Sequence, residues 1–111
     1  MNLTCRNTGR ALVAVMEGEL DHHNAAKVRE ELESRFAAAG MRNLIFDLSR
    51  LRFMDSSGLG ILIGRYKTVS ALGGQTRIAA PSEQADKLLR LAGIYKIIPV
   101  YENVSEAAAG L

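Results

Sequence analysis

The chain has 111 residues, 48% hydrophobic and 23% charged, enough for one hydrophobic core and too few for a second, so it reads as a single domain over residues 1–111. That balance excludes a disordered chain. With 14 Lys/Arg against 12 Asp/Glu, a formal charge of +2 and no basic run, nothing marks an extended nucleic-acid surface.

Cys5 stands alone, so no intramolecular disulfide forms, which fits a reducing, cytoplasmic setting. The residues from Met1 show no basic segment followed by an apolar run, so no signal peptide is expected. The most apolar window, Leu59 to Ile63, runs straight into Gly64, Arg65, Tyr66 and Lys67, far short of the roughly 20 apolar residues of a membrane span.

In chain order, Ala11 to Met16 is short, rich in β-branched residues and bounded by Gly9 and Gly18, which predicts a strand; Leu3 to Arg6 pairs with it as a hairpin through Asn7-Thr8-Gly9. Ala25, Val28, Leu32 and Phe36 then fall at helical spacing, predicting an amphipathic helix that starts between Asp21 and Asn24 and stops at Gly40. Asn43 to Leu48 is a nearly continuous apolar run, the mark of a central strand covered on both faces. Leu59, Leu62, Ile63, Tyr66, Val69 and Leu72 predict a second helix ending at Gly73-Gly74. Gly64 lies inside it at a cost of up to about 1 kcal/mol against alanine, which predicts a tight approach by a neighbouring element. Thr76 to Ala80 is a strand halted by Pro81; Ser82 caps a helix carrying Ala85, Leu88, Leu89 and Ala92; Gly93 ends it. Lys96 to Tyr101 reads as the last strand and Asn103 to Ala109 as a short final helix. Strands alternating with helices imply an α/β domain with a mostly parallel sheet.

The conspicuous stretch is Phe53-Met54-Asp55-Ser56-Ser57-Gly58-Leu59-Gly60, where an apolar segment meets a polar turn and a helix begins. Asp55, Ser56 and Ser57 are three capping-competent residues in a row, and one suffices. With Ser57 as the helix cap, Ser56 is left over. Gly58 and Gly60 strip the first turn of side chains beyond Leu59, so a partner can approach the backbone. A phosphate on Ser56, about −1.5 to −2 in charge, meets the positive end of the helix dipole and leaves the fold intact. In a docked interface already made acidic by Glu19, Asp21, Asp47 and Asp55, the same charge is disruptive.

Other chemistries fit less well. The phosphate-loop pattern Gly-x-x-x-x-Gly-Lys-Ser/Thr is absent, since no lysine follows Gly60 before Lys67. A nucleophile elbow needs Gly-x-Ser-x-Gly with a downstream histidine, whereas position 55 is Asp and both histidines lie upstream. His22 and His23 point different ways as neighbours and lack a third His or a Cys to complete a zinc set, so they read as loop residues at a surface or interface.

Gly18-Glu19-Leu20-Asp21-His22-His23, taken with Phe53 to Lys67, resembles the STAS domains of anti-sigma factor antagonists, over essentially the whole chain and with most likeness to the sporulation branch. The resemblance implies four to five mostly parallel strands with about four helices mainly on one side. It implies a binding protein rather than an enzyme, with no cofactor or metal. The partner it implies is an anti-sigma factor that is itself a serine kinase with bound ADP or ATP, and that phosphorylates the first serine of Asp-Ser-Ser-Gly-Leu-Gly, here Ser56. Unphosphorylated antagonist binds that factor and releases the sigma factor, sigma F in the sporulation branch; phosphorylation abolishes this, and a PP2C-type phosphatase restores it. By the same resemblance Glu19, Asp21, His22, His23, Asp55, Ser56, Ser57, Gly58, Leu59 and Gly60 form the partner surface of a protein that is monomeric when free and contacts neither nucleic acid nor membrane. A nucleotide-binding module and a scaffolding STAS domain of a stress-signalling assembly are the alternatives.

Overall fold

The computed structural model describes every residue from Met1 to Leu111. In chain order it contains β1 (Asn2–Thr8), β2 (Ala11–Leu20), α1 (Ala25–Ala39), β3 (Asn43–Met54), α2 (Ser56–Ala71), β4 (Thr76–Ala79), α3 (Glu83–Leu91), a 3-10 turn (Ile94–Lys96), β5 (Val100–Tyr101) and α4 (Val104–Ala108). The strands form one five-stranded sheet in the order β1-β2-β3-β4-β5, with β1 antiparallel to β2 and every other pair parallel.

A strand order that never reverses has a consequence for layering. Each β-α-β crossover is right-handed, so crossovers that all step the same way place their helices on the same face. α1, α2 and α3 accordingly share one side, over a core that includes Met16, Leu20, Leu32, Phe46, Leu62, Ile78 and Leu89. Strand alternation sends Ala11, Val13, Ile45 and Ala79 to the opposite face, where Ala107 and Val104 of α4 cover them. Asn43–Leu48 is the central strand its apolar run predicts; Leu44, Ile45, Phe46 and Leu48 are fully buried.

The elements match the sequence reading except at several ends. β2 continues past Gly18, which holds a positive φ of 107° within the strand, and β3 continues past Leu48 to Met54. Register shifts give β3 two extra residues: Val15 pairs with Asp47 but Glu17 with Arg50, and Gly18 pairs with Leu51 but Glu19 with Phe53. Each extra residue is a bulge, which breaks the two-residue period that sequence reading relies on. The last strand is only Val100–Tyr101 instead of Lys96–Tyr101, because Ile94–Lys96 winds into a 3-10 turn and the Ile98 N–H donates to Ile94 O at 2.9 Å, seating Ile98 in the core.

Gly64 also departs from expectation. No atom lies within 4 Å of where its Cβ would stand, so nothing in the molecule approaches it closely. The position with a packing reason is Gly74, whose Cβ would collide with the Arg42 carbonyl. Gly64→Ala is therefore expected to raise stability by about 0.5–1 kcal/mol through helix propensity, and Gly74→Ala to lower it by more. Thermal melts of the two variants check both signs.

Candidate functional site

The site lies where β2 and β3 end. β4 pairs with β3 only over Leu44–Asp47, so the stretch from Gly18 to Leu20 and from Leu51 to Met54 stands beyond the rest of the parallel sheet as a two-stranded end. The two chain segments leaving it are the Asp21–Asn24 turn into α1 and the Asp55 entry into α2.

Asp55 joins them. Its Oδ1 accepts the Ser57 backbone N–H at 2.9 Å, its Oδ2 accepts the His22 backbone N–H at 3.2 Å, and its own N–H donates to Leu20 O at 3.2 Å. Asp55 is thus the N-cap of α2, and the assignment of the cap to Ser57 is corrected: Ser57 supplies the donor, not the acceptor. The physical reason is position. Asp55 has extended backbone, with φ −110° and ψ −169°, and stands two residues before the donor, as a cap requires, whereas Ser57 is already helical. Ser56 is the first helical residue; it is exposed, and its hydroxyl takes no part in these bonds.

The facing turn is built by a similar economy. Asp21 Oδ1 accepts the N–H groups of His23 at 3.0 Å and Asn24 at 3.2 Å; Asn24 Oδ1 in turn accepts the Asp21 N–H at 3.1 Å, and the Asn24 side-chain amide donates to Glu19 O at 2.7 Å. His22 and His23 do not point apart. Their rings stack with centroids 4.4 Å apart at 27°. His22 also lines an open groove of about 400 Å³ with Ala25, Ala26 and Arg29 of α1 and Ser57, Gly60 and Ile61 of α2.

Of the residues singled out from sequence, Glu19, His22, His23, Ser56 and Gly60 are exposed at this end, and Asp21, Asp55, Ser57 and Leu59 are half-buried there. Gly58 is not part of that surface. It is buried, and a Cβ on it would run into Met54 Cγ and lie 2.8 Å from Met54 Sδ and 3.1 Å from Leu20 Cδ2, so this glycine lets α2 seat on the strand ends. Gly60 has no neighbour within 4 Å of a Cβ position and does leave its turn open. Asp47 is also elsewhere: it faces Val15 in the ladder and binds Ser49 N–H and Oγ at 3.0 and 2.7 Å, so the acidic character of the loops comes from Glu19, Asp21 and Asp55. The exposed residue at this end that sequence reading passed over is Phe53, 46% exposed. Its signal was an aromatic at the head of the Phe53–Gly60 stretch, read there only as part of an apolar segment.

Comparison with known proteins agrees with this architecture. The family model for the STAS domain matches residues 2–107. The chain is 35% identical over 100 residues to the anti-sigma F factor antagonist of Paenibacillus polymyxa, covering 90% of this chain and 86% of that one. The solved structure of the anti-sigma factor antagonist SpoIIAA in its unphosphorylated form superposes with a TM-score of 0.79 at 28% identity, over 96% of this chain and 92% of that one. The Bacillus cell-fate determinant SpoIIAA in its phosphorylated form superposes with a TM-score of 0.72 at 28% identity, covering 96% of each chain. The chain belongs to the STAS domain family, among the anti-sigma factor antagonists.

Asp55→Ala removes a helix cap and the bond to the facing turn, and is expected to cost about 2 kcal/mol of stability. Asp55→Asn, which keeps an acceptor oxygen, is expected to lose less than half of that in denaturant unfolding.

Proposed function

We propose that this protein is a partner-switching antagonist: unphosphorylated, it binds an anti-sigma factor that is a serine kinase, and phosphorylation of Ser56 ends that binding. The observation that carries the reading is the division of labour at the start of α2. Asp55 does the capping, which leaves Ser56 exposed, helical and without a part in the hydrogen bonds that hold the site. A kinase can reach such a hydroxyl without opening the fold. Support also comes from the SpoIIAA relative, solved in both phosphorylated and unphosphorylated forms.

The partner surface in this reading is Glu19, Asp21, His22 and His23 on one loop and Asp55, Ser56, Ser57, Leu59 and Gly60 on the other, arranged around the Ser56 hydroxyl. The nucleotide, ATP or ADP, belongs to the kinase. During transfer its phosphates must lie against Ser56 Oγ, so a phosphate left on Ser56 faces anionic phosphate from the partner and the Asp55 carboxylate on its own side. Repulsion at that point weakens the complex while the buried core is untouched. A PP2C-type phosphatase reverses the change. The sporulation branch, with sigma F as the factor released, draws on the resemblance of the Asp-His-His and Gly-Arg-Tyr-Lys segments and on the name of the Paenibacillus relative. The protein acts as a monomer in the cytoplasm in this account. The competing reading of a nucleotide-binding module is less favoured, because the strand order has no reversal and hence no switch-point crevice of the kind where open α/β sheets hold nucleotides.

Incubation with the cognate anti-sigma factor kinase and ATP is expected to add one phosphate, located on Ser56 by tandem mass spectrometry. A Ser56→Ala protein that labels as well as the parent overturns the assignment. Ser56→Asp is expected to bind the kinase at least tenfold more weakly by calorimetry, with an unchanged thermal midpoint.

A further inference from the structure

Phe53 is a large apolar side chain left 46% exposed three residues before Ser56. Its neighbours on β3, Leu51 and Met54, enter the core on the helix side. Phe53 instead pairs in register with Glu19, whose neighbours Gly18 and Leu20 are buried, so both stand on the face away from α1, α2 and α3. The helix on that face, α4, covers Ala11, Val13, Ile45 and Ala79, at the opposite end of the strands, and does not extend over Phe53. The residue is therefore left about half exposed, at the rim of the acidic loops that carry Glu19, Asp21 and Asp55.

We propose that Phe53 is the apolar anchor through which the anti-sigma factor kinase docks, in a pocket of that partner with an apolar floor and a basic rim. This inference rests on the reading of Ser56 as the kinase's substrate. A stable interface covers about 800 Å² on each partner, a disc reaching about 16 Å from its centre. Three residues of chain span at most about 10 Å, so Phe53 lies within the radius of a kinase footprint centred on Ser56. Burying an exposed aromatic is the most productive apolar contact such a footprint has available, and aromatic anchors surrounded by polar groups dominate measured interface energies. Glu19, opposite Phe53 in the ladder, and Asp21 beyond it ask for cations on the partner's rim.

The test compares the parent, Phe53→Ala, Phe53→Leu and Leu91→Ala proteins against the purified cognate kinase, by calorimetry with ADP and by steady-state phosphorylation with ATP. Leu91 is the control, 88% exposed at the far end of α3. Phe53→Ala is expected to weaken binding at least tenfold and to raise the KM for phosphorylation with kcat unchanged, since the serine loop is intact. Phe53→Leu is expected to recover most of the loss, and Leu91→Ala to stay within twofold of the parent. Melts within a few degrees of the parent establish that the variants are folded. If the parent is phosphorylated on Ser56 and Phe53→Ala binds within twofold of it, or lowers kcat alone, the anchor is overturned and the kinase reading stands. If the parent itself neither binds nor is labelled, both fall together.

Discussion

The Asp55 carboxylate holds two chain segments in one arrangement. One oxygen caps α2 through the Ser57 N–H and the other takes the His22 N–H from the loop that enters α1. Because both bonds use backbone donors, they fix the positions of the loops irrespective of the side chains those loops display. Histidine, serine and glutamate can then serve an interface without also having to hold it together. The ion-pair alternative would be weaker here, since exposed side-chain pairs contribute on average about 0–1 kcal/mol and sacrifice side-chain freedom. Met54 and Leu20 complete the arrangement from below, closing on Gly58 so that the start of α2 packs against the strand ends.

The architecture explains why the site projects. With strand order β1 to β5 never reversing, three helices are committed to one face, and only five residues of α4 are left to cover the other. β3 outruns β4, and β2 outruns β1, so their last residues pair only with each other. A two-stranded end is marginal by itself. Here it is stabilised by the inward side chains Leu20, Leu51 and Met54 and by the Asp55 N–H to Leu20 O bond.

The course of the chain was legible wherever a regular period governs it. Leu32 and Phe36 on α1, the apolar run of β3, and the glycine exit at Gly40 with φ 67° all follow from spacing and backbone preference. Where bulges add residues to β3 the period fails, and so its far end went unread and the exposure of Phe53 with it; β2 was cut short at Gly18, a glycine with φ 107° that reads as a boundary and lies within the strand. The two glycine readings failed in opposite senses for one reason: a glycine marks either close packing or open space, and only the neighbours tell which. Gly58 is the crowded one, against Met54 and Leu20; Gly64 is the open one. The stacking of His22 on His23 was hidden because it depends on the Asp21 turn, which folds the loop back over three residues.

The surplus of capping residues at Asp55-Ser56-Ser57 is resolved by geometry, and the resolution bears on how a switch can be reversible. Had Ser57 or Ser56 capped the helix, modification of the hydroxyl would have competed with the bond that starts α2, and each cycle would have loosened the fold. With a carboxylate as the cap, the helix terminus is satisfied by a group no kinase modifies. The cap also places a fixed negative charge one residue from Ser56, so an added phosphate raises the local charge density without finding the Ser57 N–H free to neutralise it. In the proposed switch the free energy of modification is then directed outward, into the interface, and the carboxylate that caps α2 adds to the repulsion that would separate the two proposed states.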